Sequence, residues 1–79
     1  MEKLEKILEI LQDIQPGTDY RNLENLIDGH YLSSLSILAL VAELEEAFDV
    51  TVPAVEIIPA NFNSANAMLQ MIERLEEEG

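Results

Sequence analysis

The 79-residue sequence has no cysteine and no tryptophan. The first absence excludes disulfide staples and thiolate metal sites, and a single histidine leaves little with which to hold a structural metal. Basic residues are scarce too: 4 Lys and Arg stand against 16 Asp and Glu, for a formal charge of −12. A surface of that sign repels nucleic acid and anionic membranes, so neither is an expected ligand, and partners that dock on it should carry basic patches. Self-repulsion at this charge predicts a fold that becomes firmer in salt or with divalent cations. No apolar run reaches the roughly 20 residues that span a bilayer. No charged-then-apolar leader opens the chain either, which predicts a cytoplasmic protein without membrane insertion. Gly-rich phosphate loops, metal clusters and pocketed carboxylate pairs are missing as well, so the chain is not expected to be an enzyme.

What remains is aliphatic, with 48% of residues hydrophobic and only 5% aromatic. A chain this short, close to the limit at which burial alone holds a fold, should form one domain over residues 1–79 by packing helices. From Met1 to Gln15, Leu4, Ile7, Leu8, Leu11 and Ile14 recur at helical spacing opposite Glu2, Lys3, Glu5, Lys6 and Glu9, and Pro16-Gly17 ends that helix. Residues 16–32 form a long connection, with Leu23, Leu26 and Ile27 as apolar anchors and Asp19 as the cap of a single turn. His30 reads as a solvated loop histidine, because a Ser-His-Asp triad with Ser34 and Asp28 needs a scaffold and an oxyanion hole that so small a domain does not provide.

The stretch from Tyr31 to Phe48 organises the rest. Its serines suit the first turn of a helix, with Ser33 as N-cap and Ser34 as the first helical residue. At 100 degrees per residue, Ile37, Leu40, Val41, Leu44 and Phe48 share a core face, and Leu35, Leu38, Ala39 and Ala42 fall outside it. An apolar patch outside the core, rimmed by Glu43, Glu45 and Glu46, predicts a docking surface. After Phe48 an extended Asp49–Val52 segment leads to Pro53, which suits the first position of a short helix through Ile58 with Val55, Ile57 and Ile58 as anchors; Pro59 should stop it. Asn61-Phe62-Asn63-Ser64 then opens the last helix, capped by Asn63 or Ser64, with Phe62 packing back on its first turns. Its inner stripe is Ala65, Met68, Leu69, Ile72 and Leu75, with Met68 as core filler, and Glu76-Glu77-Glu78 should fray. The sum is an all-α fold, a small four-helix bundle of three long helices and one short third helix with a long first loop.

Leu26-Ile27-Asp28, Leu32-Ser33-Ser34-Leu35, Leu44-Glu45-Glu46-Ala47-Phe48-Asp49 and Val52-Pro53 together resemble an acyl carrier or peptidyl carrier protein, and the resemblance covers nearly the whole chain. In that family a serine within an Asp-Ser-Leu triplet, at the start of the second helix, carries 4′-phosphopantetheine taken from coenzyme A; the matching position is Ser34, and Ser33 and Ser36 are the rivals. Ser33 stands where the family has aspartate, and Gly29-His30 where it commonly has an acidic residue followed by glycine. The resemblance implies an acyl-carrier-like domain that holds an acyl or aminoacyl thioester. Its implied partners are a phosphopantetheinyl transferase and loading and processing enzymes that dock on Leu35, Leu38, Ala39, Ala42, Glu45 and Glu46 of a monomer. In carriers of this kind the short helix flanks the arm and its cargo. Residues Ile57 to Ser64 look more like those of stand-alone aminoacyl or specialised acyl carriers than of primary fatty acid carriers. A second reading of the same residues is a carrier-like acidic docking or regulatory module that is never modified.

Overall fold

A computed structural model describes residues 2–78 as helix, turn and loop: α1 (Glu2–Ile14), α2 (Ser34–Phe48), α3 (Pro59–Phe62) and α4 (Ala65–Glu78), with one 3₁₀ turn at Ala54–Glu56. Three long helices form as the periodicity predicts, and the one short helix precedes the last of them. α1 packs against both α2 and α4, and α3 packs against α4. The core between them is built from Ile7, Leu11, Leu26, Leu40, Leu44, Met68, Met71 and Ile72, all fully buried. Each such aliphatic side chain taken out of water contributes about 1.5–3 kcal/mol.

Contact with two partners widens the buried face of α1 beyond the predicted stripe, so Ile10 is buried while Leu4, Leu8 and Ile14 pack only in part. Met71 likewise joins the stripe of α4, whose five predicted members are all buried. α1 is described from Glu2; Met1 lies outside the described residues, and Gln15 has left the helix although its N–H still donates to the Leu11 carbonyl at 2.9 Å.

The long connection is tied down at several points. Tyr20, unmarked by the sequence pattern, is buried and donates its hydroxyl to the Gln15 carbonyl at 2.5 Å. Leu26 and Leu32 are buried beside it in the core, with Leu23 and Ile27 half-buried. The predicted turn at Asp19 forms, but through its backbone: the Asp19 carbonyl accepts from the N–H groups of Asn22 and Leu23, and its carboxylate accepts from the Asn22 side-chain amide instead of capping the turn. Gly29 sits where a Cβ would meet Asn25 Oand Nδ2 and Tyr31 Cε2 at 2.8 Å, so only glycine lets the chain pass. His30 follows in the left-handed region at φ 62 and is exposed.

Between α2 and α4 the structure departs from the expected breaks. Pro53 does not begin a helix through Ile58; it flanks the single 3₁₀ turn from outside, with extended backbone at φ −69, ψ 154. Of the three anchors expected there, only Ile57 packs on the core, whereas Val55 is 79% exposed and Ile58 46%. Pro59 starts a helix where it was expected to stop one, since the N–H it lacks would have no partner in a first turn anyway. Asn61 and Phe62 therefore belong to α3, and α4 begins at Ala65 under Ser64, whose hydroxyl accepts from the Ala67 N–H at 3.0 Å. Phe62 is buried, as its packing role requires. At the far end α4 stays helical through Glu78, and Glu76 accepts a hydrogen bond from Lys3 at 2.5 Å, which ties the acidic end to α1 and raises the Lys3 pKa.

Candidate functional site

Ser33 forms the cap that the sequence predicts at the start of α2. Its backbone is extended at φ −85, ψ 169, its carbonyl accepts from the Ile37 N–H at 2.9 Å and its hydroxyl accepts from the Ser36 N–H at 3.1 Å. The Ser33 hydroxyl also donates to Ser36 Oγ at 3.1 Å, and Ser36 Oγ donates to Gln15 Oε1 at 3.1 Å. Gln15 completes the arrangement by donating from Nε2 to the Tyr31 carbonyl.

Two of the three serines are thus held in a local network, and Ser34 is not. Its side chain is exposed and makes no hydrogen bond among the described residues. The backbone N–H groups of Ser34 and Leu35 are likewise without a partner among the described residues, because the cap satisfies those of Ser36 and Ile37. An exposed hydroxyl beside free amides at the positive end of a helix can accept a phosphate ester.

The segment leading into this turn is fixed from the far side of the sequence. Asn63 accepts the Ile27 and Asp28 N–H groups on its side-chain oxygen at 2.9 and 3.1 Å, and its carbonyl accepts the Leu26 N–H at 2.9 Å. Its Nδ2 donates to the Asp28 carboxylate at 3.1 Å. Asn63 was one of two candidate caps for the last helix; with Ser64 in that role, its amide is free to clamp the loop that precedes the serines. Two cap-forming residues where one suffices was the signal for this in the sequence.

Along α2, Leu35 is 80% exposed and Leu38 62%, and Ala39, Ala42 and Glu46 are exposed with them. Glu45 is placed differently. It is half-buried and its carboxylate accepts the Val52 N–H at 2.8 Å, so it closes the end of α2 onto the following strand-like segment. Asp49, left-handed at φ 54, caps that end by donating its N–H to the Glu45 carbonyl. Val55 and Ile58 add exposed apolar surface that the sequence pattern had assigned to the core, because consecutive apolar residues in so short a segment have no period to separate inside from outside.

An apolar cavity of about 220 Å³ opens beside the first turn of α2, lined by Ile27, Ile37, Ile57, Ile58, Pro59 and Phe62. A larger depression of about 500 Å³ lies at the other end of α2, but Asp49, Glu76 and Glu78 line it, which makes it unsuited to an anionic ligand. No group of three or more His, Cys, Asp or Glu side chains among the described residues could hold a metal ion, and no helix among them is long and apolar enough to cross a membrane.

Comparison with known proteins gives relatives over most of this length. The D-alanyl carrier protein of Lactobacillus helveticus is 30% identical over 80 aligned residues, 99% of this chain and 100% of that protein. The D-alanyl carrier protein of Streptococcus equi subsp. zooepidemicus is 38% identical over 53 residues, 67% of each chain. Aminoacyl carrier protein 2 of Bradyrhizobium diazoefficiens is 35% identical over 69 residues, 87% of this chain and 76% of that protein. No family model matches the chain, and no solved structure gives a significant match.

Proposed function

This chain belongs to the carrier-protein family, and from that premise we propose that Ser34 is the attachment point of a 4′-phosphopantetheine arm, with the apolar face of α2 as the surface that partner enzymes read. The observation that carries the proposal is the division of labour among the serines: Ser33 and Ser36 are committed to the cap, whereas the Ser34 hydroxyl is exposed and unbonded among the described residues. Ser34 Oγ, on losing its proton to a base of the transferase, forms the bond to the phosphorus that bears the pantetheine as the pyrophosphate linkage of coenzyme A breaks, and adenosine 3′,5′-bisphosphate leaves. The Ser34 and Leu35 amides then lie where they can support the phosphodiester. Once attached, the arm supplies a terminal thiol that holds the cargo as a thioester.

The cargo we assign is an aminoacyl or short acyl group. The named relatives are D-alanyl and aminoacyl carriers by name, and the apolar cavity beside Ile37, at about 220 Å³, is of a size that suits a small group. Loading and processing enzymes should meet α2 with an apolar patch set among basic residues, since Leu35 and Leu38 are exposed on a helix that has acidic residues and no basic one.

Intact mass after incubation with coenzyme A and a promiscuous phosphopantetheinyl transferase tests the reading. The wild-type chain should gain one arm and Ser34→Ala none, with helical content unchanged. A wild-type chain that gains nothing would leave an acidic docking module as its function.

A further inference from the structure

We infer that Gln15 is a positioning residue for arm attachment, holding the serine-bearing turn from both sides through its one side-chain amide; this rests on the Ser34 reading above. Gln15 stands just past the end of α1, far in sequence from Ser34 at the start of α2, and yet its side chain joins the end of one helix to the start of the other. Its backbone is fixed first: the N–H donates to the Leu11 carbonyl at 2.9 Å and the carbonyl accepts from the buried Tyr20 hydroxyl at 2.5 Å. From that fixed base the side chain reaches across. Nε2 donates to the carbonyl of Tyr31, upstream of Ser34, and Oε1 accepts from the hydroxyl of Ser36, downstream of it.

A planar amide that donates on one side and accepts on the other sets both the distance and the tilt of the segment between its partners. Ser36 Oγ is also where the Ser33 hydroxyl donates, so the cap of α2 and the end of α1 converge on a single oxygen. Ser34 lies inside this bracket without being part of it, which leaves its hydroxyl free while its backbone is held. Among the other polar side chains, glutamate of the same length would still accept from Ser36, but it cannot donate to Tyr31 and would set a charge against that carbonyl.

The test measures steady-state arm transfer to the full chain, with Gln15→Met, Gln15→Glu and Ser36→Ala beside wild type, at a temperature where circular dichroism shows each to be folded. Gln15→Met should lower kcat by roughly tenfold to a hundredfold, the scale of a reacting group held in slightly wrong geometry. KM for the carrier should stay within about twofold of wild type, since the exposed face of α2 is untouched; a lower kcat at constant KM is the mark of a lost transition-state interaction. Gln15→Glu should fall between the two. Combining Gln15→Met with Ser36→Ala should cost less than the product of the single effects, because both break the same bracket. Amide shifts of Ser33 to Ile37 in the unmodified protein should move in Gln15→Met while those of α4 do not. Unchanged kcat, a rise confined to KM, or multiplicative single effects would overturn the inference while leaving Ser34 as the attachment point. Failure of the wild-type chain to take the arm would overturn both.

Discussion

α2 and α4 are nearly equal in length, 15 and 14 residues, and they spend their apolar side chains in opposite ways. α4 buries Ala65, Met68, Leu69, Met71, Ile72 and Leu75 and, apart from the half-buried Ala67, is polar elsewhere, so its sequence is accounted for by folding alone. α2 is the more apolar helix, yet only Leu40 and Leu44 are fully buried, while Leu35 and Leu38 stand in solvent. A helix that is apolar beyond what the core takes up has a second surface to explain, and here that surface begins at the exposed serine. α4 holds the fold; α2 holds the fold with one side and offers the other.

The largest effect that would sharpen this contrast is on the inner side of α2. Leu44→Ala removes a fully buried side chain and should destabilise by about 2–5 kcal/mol in denaturant or thermal unfolding. A cost near zero would mean that α2 does not anchor the core.

How much of this was legible in advance divides along the same line. The cap at Ser33, both faces of α2 and the inner stripe of α4 follow from spacing, because over a long helix the 3.6-residue period leaves each side chain one face to occupy. The segment from Pro53 to Ser64 did not follow, because its turns are too short to show a period and its two prolines read equally as starts and stops. Pro59 opens α3, which packs against α4, and Val55 and Ile58 face solvent. At the site, Ser34 was visible as a position in a motif. The bracket formed by Gln15, Tyr31 and Ser36 was not, since it depends on where the end of α1 comes to rest.

Next in size is the cap. Ser33→Ala should cost about 0.5–2 kcal/mol by leaving the Ser36 N–H without its acceptor. Ser33→Asp should hold stability near wild type, as aspartate caps equally well, and should speed arm transfer by supplying the charge that the family places there. An unchanged transfer rate would show that the partner is matched to serine.

The smallest effect on stability falls on the outer face. Leu38→Glu should change unfolding by no more than ~0.5 kcal/mol, as for ordinary surface substitutions, and yet weaken partner binding by putting charge into the docking surface proposed for α2. Strong destabilisation would erase the distinction between the two sides of α2.

The claim at the centre of this account is that one serine of the α2 cap is left free for chemistry while its neighbours hold the turn. Fragmentation mass spectrometry of the wild-type chain, after transfer from coenzyme A, reads it directly by locating the added mass along the sequence. The account predicts the arm on Ser34; an arm on Ser33 or Ser36, or no added mass, would contradict it.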